Sequence, residues 1–187
     1  RSAVAHNIAD NIRKTRIVRW SRSVGPVLQP YLSLRERIDR FVEEGDTDSV
    51  GSQGRTYLES LLKELCAGTA ASLRYREGAD YMVGELLPAL ESRLGRMDSC
   101  AFKTLLLQRI SELRAISFVA NMLSHDAQSQ EALSSSEVAS FWSAVTALHD
   151  AYACPTCGKN QLAFDETVCA VVCRARGCAQ PLVARFR

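Results

Sequence analysis

Two closely spaced pairs of cysteines stand near the C-terminal end of this 187-residue chain, and they constrain its fold more than any other feature. Cys154 and Cys157 are separated by two residues, and a glycine follows them. Cys173 and Cys178 are separated by four residues, and a glycine precedes the second. Glycine permits tight turns whose backbone amides point at thiolate sulfurs, and four cysteines in two such knuckles form the closed ligand set of structural zinc. We therefore predict a four-cysteine zinc ribbon over residues 153–187.

A fifth cysteine, Cys169, lies between the two pairs. The fifteen residues between the pairs can form two short strands, over 161–164 and 167–172, which makes Cys169 a strand residue and a spectator. Cys169 is the alternative ligand if the side chain of Cys173 points away. Because a zinc ion with four protein ligands has no open position for water, we predict that it stabilises the fold and does not catalyse.

The cysteines also indicate the redox compartment. Their total of seven is odd, Cys66 and Cys100 stand alone in helical sequence, and no export signal is visible. These features favour a reducing, cytoplasmic compartment and a metal site, whereas the alternative interpretation of the cluster is a small disulfide-linked tail. No uncharged apolar stretch reaches the roughly 18 to 20 residues that a membrane span requires, so we expect no membrane partner.

Apolar residues recur every three or four positions through most of the chain before the cysteine cluster. This period indicates amphipathic helices, and no alternating pattern typical of strands is visible before residue 150. We predict that residues 31–152 form an all-α bundle. The predicted helices span residues 31–44, 55–66, 82–94, 100–124 and 137–152, and the predicted core comprises Leu61, Leu65, Leu86, Leu106, Leu113, Trp142 and Val145.

Local signals indicate where these helices begin and end. The acidic run 43–48 closes the first helix, and we predict that the chain continues as a loop through Gly51 and Gly54. Gly68 indicates the end of the second helix. At about 36 Å, the segment 100–124 is predicted to be the longest helix, with Leu105 on its apolar face.

The last helix of the bundle has its own start signal. Ser134 is followed three positions later by Glu137, which is the pattern of a capping box. We therefore predict that this capping box opens the helix over residues 137–152.

A basic segment opens the chain. Its cations, interleaved with apolar residues, are Arg13, Lys14, Arg16, Arg19 and Arg22. We predict a separate basic segment over residues 1–30, either amphipathic or extended. The predicted ribbon is also basic, through Arg174, Arg176, Arg185 and Arg187. Because the net charge is only +2, any contact with nucleic acid must be local, and solvation of these cations is the alternative interpretation.

His125 follows the predicted long helix, and Asn121 lies one turn earlier on the same face. A helix-end histidine can act as a general acid or base near neutral pH, and a structural or solvated role is the alternative. The string from Ala120 to His125 resembles the signature of HEPN-type ribonuclease domains, in which an arginine is followed by a polar residue, three more residues and a histidine. Asn121 and His125 match this signature, whereas Ala120 stands in the place of the arginine.

This resemblance implies a metal-independent endoribonuclease whose composite site forms where two bundles dimerise. The histidine and the arginine of such a site assist attack of the ribose 2′-hydroxyl on the adjacent phosphodiester, and the arginine supplies positive charge to the phosphate. Alanine supplies no charge, so Ala120 implies an inactivated or degenerate ribonuclease. RNA and a second copy of the chain are the implied partners.

A second resemblance covers about residues 54–158. Its elements in order are Gly54-Arg55, Leu58-Glu59, Leu61-Leu62, Tyr75-Arg76, Gly84-Glu85-Leu86-Leu87, Asn121, Ser124-His125-Asp126 and the first cysteine knuckle. They resemble the C-terminal region behind RecF- or SMC-like ATPases in bacterial defence and anticodon-nuclease-type systems. This implies tRNA as a substrate and, because the residues contain no Walker A motif, an ATPase domain elsewhere in the same chain or on another. Since the first residue is arginine and not methionine, we expect a fragment or a processed product.

Two functional hypotheses follow. The first is a ribonuclease-like effector domain of an ATPase-linked defence protein, and an arginine at position 120 of the parent gene would favour it. The second is a noncatalytic nucleic-acid-binding or dimerisation module that structural zinc stabilises. A small-molecule enzyme has little support, because the cysteine cluster is saturated and no paired carboxylates or nucleophile accompany it.

Overall fold

The computed structural model describes residues 15–21, 25–30, 34–72, 83–116, 134–179 and 182–187. Five helices and five short strands lie in these ranges. In chain order they are β1 (Thr15–Ser21), β2 (Gly25–Pro30), α1 (Leu34–Glu44), α2 (Thr47–Thr69), α3 (Val83–Gly95), α4 (Ala101–Ala115), α5 (Ser135–Ala151), β3 (Leu162–Asp165), β4 (Ala170–Cys173) and β5 (Leu182–Arg185). The prediction of a mainly helical fold that ends in a small cysteine-rich unit is confirmed.

An antiparallel hairpin precedes the helices. Its strands β1 and β2 place Thr15 opposite Pro30 and Ser21 opposite Gly25. The expectation that no strand precedes residue 150 is therefore wrong, and the described part of the basic segment, residues 15–21 and 25–30, is extended. The pairing shifts register between Ile17 and Arg19, and such a shift interrupts the alternation that a search for a two-residue period detects.

Helix α2 begins eight residues before its predicted start, at Thr47 instead of position 55. The side chain of Asp46 caps it by accepting a hydrogen bond from the amide of Ser49 at 3.1 Å. The predicted loop through Gly51 and Gly54 is wrong, because both glycines lie buried inside the helix. A Cβ atom at Gly54 would lie 3.2 Å from the ring of Phe141, so this glycine allows close packing of α2 against α5.

The predicted core is confirmed. All seven residues are at most 4% exposed: Leu61, Leu65, Leu86, Leu106, Leu113, Trp142 and Val145. The apolar face predicted for α4 is wrong at one position, since Leu105 is 38% exposed. Leu106, Ile110 and Leu113 follow the three-to-four-residue period of one helix face, and Leu105 lies about 100° from Leu106 around the axis.

The ends of the last two helices differ in how well they were predicted. Helix α4 ends at Ala115, and the part of the predicted long helix that follows residue 116 lies outside the described residues. At the start of α5 the predicted capping box is confirmed. The hydroxyl of Ser134 accepts from the amide of Glu137, and the Glu137 carboxylate accepts from the amide of Ser134 at 2.9 Å.

The C-terminal unit packs directly on the bundle. It contains an antiparallel sheet in the order β3, β4, β5, of which the sequence predicted the first two strands. Beyond the end of α3, the amide of Asp98 donates to the carbonyl of Arg185 at 2.8 Å, and the amide of Arg187 donates to the carbonyl of Arg96 at 3.1 Å. Buried side chains of the bundle and the sheet form one continuous apolar cluster. None of the described helices combines the length and the apolar character needed to cross a bilayer.

Candidate metal centre

Four cysteine sulfurs converge at the end of the chain. The Sγ atoms of Cys154, Cys157, Cys173 and Cys178 all lie within 4.8 Å of one another. Two of the separations are 3.8 Å, between Cys154 and Cys178, and 3.7 Å, between Cys157 and Cys173. A disulfide requires about 2.05 Å, so these pairs are not bonded to each other. The structure therefore brings together the four residues that the spacing singled out.

Two turns carry these sulfurs. Cys154 and Cys157 follow the end of α5, where the amide of Gly158 donates to the carbonyl of Cys154 at 2.8 Å. Gly158 has a φ of +68°, a left-handed conformation that glycine adopts without steric cost. In the second turn Gly177 has a φ of +79° and precedes Cys178. Both glycines thus occupy positions that the tight turns require.

The first turn favours a thiolate at Cys154. Burial raises the pKa of its thiol, but the backbone amides of Cys157 and Thr156 donate to the sulfur and bring the pKa down to about 7. A thiolate and not a thiol is the form that ligates a metal. Four thiolates this close together repel one another strongly, so a bound cation is needed to stabilise all four at once.

The donor set fits zinc. A tetrahedral zinc centre with four sulfur ligands and Zn–S bonds of about 2.3 Å has sulfur atoms about 3.8 Å apart, which matches the two sulfur–sulfur distances of 3.8 and 3.7 Å. No histidine or carboxylate belongs to the cluster in the described ranges. An all-sulfur tetrahedral set selects zinc or iron over the hard cations Mg²⁺ and Ca²⁺.

The remaining cysteines of the described ranges lie apart from the cluster. Cys169 is exposed, in the turn between β3 and β4, with a φ of +48°. The prediction that it is a strand residue is wrong, because a left-handed residue does not continue a strand. Cys66 is buried in α2, 3.7 Å from the carbonyl oxygen of Leu86, and burial raises the pKa of its thiol to about 11. Cys100 is the N-cap residue of α4.

The predicted catalytic residues Ala120, Asn121 and His125 lie outside the described residues. Among the described residues the one histidine is His149, which no sequence pattern singled out. Its Nδ1 lies 3.0 Å from an Nη of Arg35, and its Nε2 lies 2.9 Å from the side-chain amide of Asn160. Arg35 also forms a two-pronged ion pair with Asp150, at 2.7 and 3.1 Å.

This histidine network joins three parts of the chain. Arg35 belongs to α1, His149 to the end of α5 and Asn160 to the segment after the first cysteine turn. Nδ1 of His149 also lies 3.1 Å from a carboxylate oxygen of Asp150, so this ring nitrogen meets both the guanidinium and the carboxylate of the ion pair. Its contacts tie the first cysteine turn to the bundle. No local pattern in the sequence marks this network, since Arg35 is far from its partners along the chain.

Comparison of this chain with family models, curated proteins and solved structures gives no match in any of the three.

Proposed function

We propose that this chain is a helical nucleic-acid-binding module whose C-terminal ribbon is held together by one structural zinc ion. The zinc part of the proposal is carried by the sulfur spacing of 3.7 and 3.8 Å, which fits a zinc centre with four sulfur ligands. Four thiolate ligands leave no position for water, so the ion links the two cysteine turns and takes no part in catalysis. Its binding energy becomes folding energy, because the unfolded chain does not preassemble the four sulfurs.

The surface charge of the ribbon supports the proposal that the chain binds nucleic acid. Its exposed cations are Lys159, Arg174, Arg176, Arg185 and Arg187. Arg174 and Arg187 each pair with an aspartate, Asp165 and Asp98 respectively. The other three cations form no ion pair within the described ranges, so they are available to phosphate groups.

The test is binding of a fluorescein-labelled, 12-nucleotide oligouridine to the metal-loaded chain, followed by fluorescence anisotropy. We expect binding that weakens as KCl is raised, because each phosphate contact releases a condensed counterion. Binding that is undetectable at low salt, with a protein that melts cooperatively and carries its metal, would contradict the nucleic-acid function.

Ribonuclease activity is the second candidate, favoured by the Asn121 and His125 signature. In this proposal the chain is the effector of an ATPase-linked defence protein in the cytoplasm, acts on RNA such as tRNA as a homodimer, and is silent because Ala120 supplies no charge. Ala120→Arg should then give RNA cleavage in the presence of EDTA, with 2′,3′-cyclic phosphate ends. Adding His125→Ala should abolish it. A folded, dimeric Ala120→Arg protein without activity would argue against this candidate.

A further inference from the structure

A guanidinium group packs against two phenylalanine rings where the bundle meets the ribbon. The Arg93 guanidinium carbon lies 3.8 Å from the ring centroid of Phe186 and 4.7 Å from that of Phe164. The two rings pack edge to face, with centroids 5.5 Å apart. Cation–π contacts of this kind hold a guanidinium in a fixed orientation.

One hydrogen bond of Arg93 fixes it further. Its Nε donates at 2.8 Å to the carbonyl of Thr69, the last residue of α2. The two Nη groups form no hydrogen bond with any described residue. A guanidinium whose Nε is anchored and whose Nη groups are unused presents two parallel donors, the arrangement that recognises a phosphate or a carboxylate.

A second cation lies near Arg93. Arg96 follows three residues later, is exposed and pairs with no acidic residue in the described ranges. Burial and the nearby charge of Arg96 both lower the pKa of Arg93, and the exposed thiol of Cys169 acts in the opposite direction. No carboxylate within the described segments forms an ion pair with Arg93, so its charge is not neutralised there.

A further cation, Arg185, lies on the adjoining strand. Phe186 follows directly after β5, and neighbouring residues of an extended chain point their side chains to opposite faces. Because the ring of Phe186 contacts Arg93, Arg185 lies on the other face of the chain and outside the site. The two cations of the site, Arg93 and Arg96, are three residues apart and fit successive phosphates of one chain better than a single small anion.

We propose that Arg93, with Arg96 beside it, binds the phosphate backbone of single-stranded RNA. The proposal rests on the nucleic-acid function proposed above and assigns it to a defined site, the seam between the end of α3 and β5. Arg93 contributes two oriented donors to one phosphate, and Arg96 contributes charge to a neighbouring phosphate.

The experiment measures oligouridine binding by anisotropy for the full, metal-loaded chain at several KCl concentrations. Arg93→Lys keeps the charge but loses the planar donor pair, and we expect its Kd to rise about tenfold. Arg96→Gln should raise Kd about threefold and lower the slope of log affinity against log salt by about 0.7. The matched control is Arg109→Gln, which removes the same charge from an arginine paired with Glu112, and its Kd should change less than about twofold.

The outcomes separate this inference from the function it rests on. If the wild-type chain binds no RNA, the proposed function and this site both fail. If the wild-type chain binds but Arg93→Lys and Arg96→Gln bind equally well, the site is wrong and the nucleic-acid function stands. The Kd of Arg96→Gln tests the site even if Arg93→Lys disturbs the local packing. The side chain of Arg96 is exposed and makes no hydrogen bond with the described residues, so its replacement should leave the fold intact.

A second measurement uses the exposed thiol beside the site. Saturating RNA should slow iodoacetamide alkylation of Cys169 at least fivefold in the wild-type chain, as read by peptide mass spectrometry, and should protect it less in Arg96→Gln. An unchanged alkylation rate in a wild-type complex would overturn the placement of RNA at this seam.

Discussion

The hydroxyl of Tyr152 donates a hydrogen bond to the carbonyl oxygen of Leu162, 3.2 Å away. Tyr152 ends α5 and Leu162 begins β3, so this buried contact joins the bundle to the ribbon. Gly68 of α2 makes room for it, because a Cβ atom there would overlap the Tyr152 hydroxyl. The sequence indicated Gly68 as the end of the helix, but α2 continues to Thr69, and Gly68 is a residue that allows close packing.

Gly68→Ala should destabilise the chain by about 1 to 3 kcal/mol, since the surroundings of Tyr152 are closely packed and must shift. The matched control is Gly84→Ala in α3, where no described atom outside the glycine's own stretch of helix lies within 4 Å of the new methyl group. Alanine is favoured over glycine inside a helix, so this control should gain up to about 1 kcal/mol. Urea unfolding measures both changes, and equal stability of the two variants would mean that Gly68 is not tightly packed.

Leu113→Ala should cost about 2 to 5 kcal/mol, because Leu113 is fully buried in α4. Leu105→Ala removes the same atoms from the same helix at a position that is 38% exposed, and it should cost less than about 1 kcal/mol. Thermal unfolding followed by circular dichroism compares the two. Similar losses would show that the inward face of α4 is assigned wrongly.

The Arg35 and Asp150 ion pair should make stability depend on pH in the acid range. The hydrogen bond from Arg35 holds the pKa of the Asp150 carboxyl below its ordinary value of about 4, so the unfolded state takes up a proton more readily. Stability from this pair is present above about pH 4 and is lost as the pH falls through the lowered folded-state value. Arg35→Gln should flatten this part of the profile, as measured by urea unfolding between pH 2 and 6. An unchanged profile would show that the pair contributes nothing.

Much of the helical core could be predicted from the sequence, because a helix that is buried on one face has apolar residues every three or four positions. Leu106 and Leu113 follow this period. The cap at Ser134 could also be predicted, because its partner is only three positions away. Gly54 was misread because its partner, Phe141, belongs to another helix and no local signal distinguishes a packing glycine from a turn glycine.

The candidate metal centre likewise combines features that local sequence reveals with contacts between distant segments. The spacing of its cysteines is a local signal, so the four converging residues could be selected in advance. The contacts of His149 and Arg93 arise only when distant segments pack together, and neither residue stands out in the sequence. β5 lies after the last cysteine pair, outside the stretch between the pairs whose length predicted two strands, and it is defined by its pairing with β4.

Zinc content, measured by elemental analysis of purified protein, tests the central claim most directly. The account predicts one zinc per chain, retained in Cys169→Ser, whose thiol lies outside the cluster, and lost in Cys157→Ser together with the folded ribbon. Less than about half an equivalent of zinc in a well-folded wild-type preparation, or equal zinc loss in both variants, would contradict it.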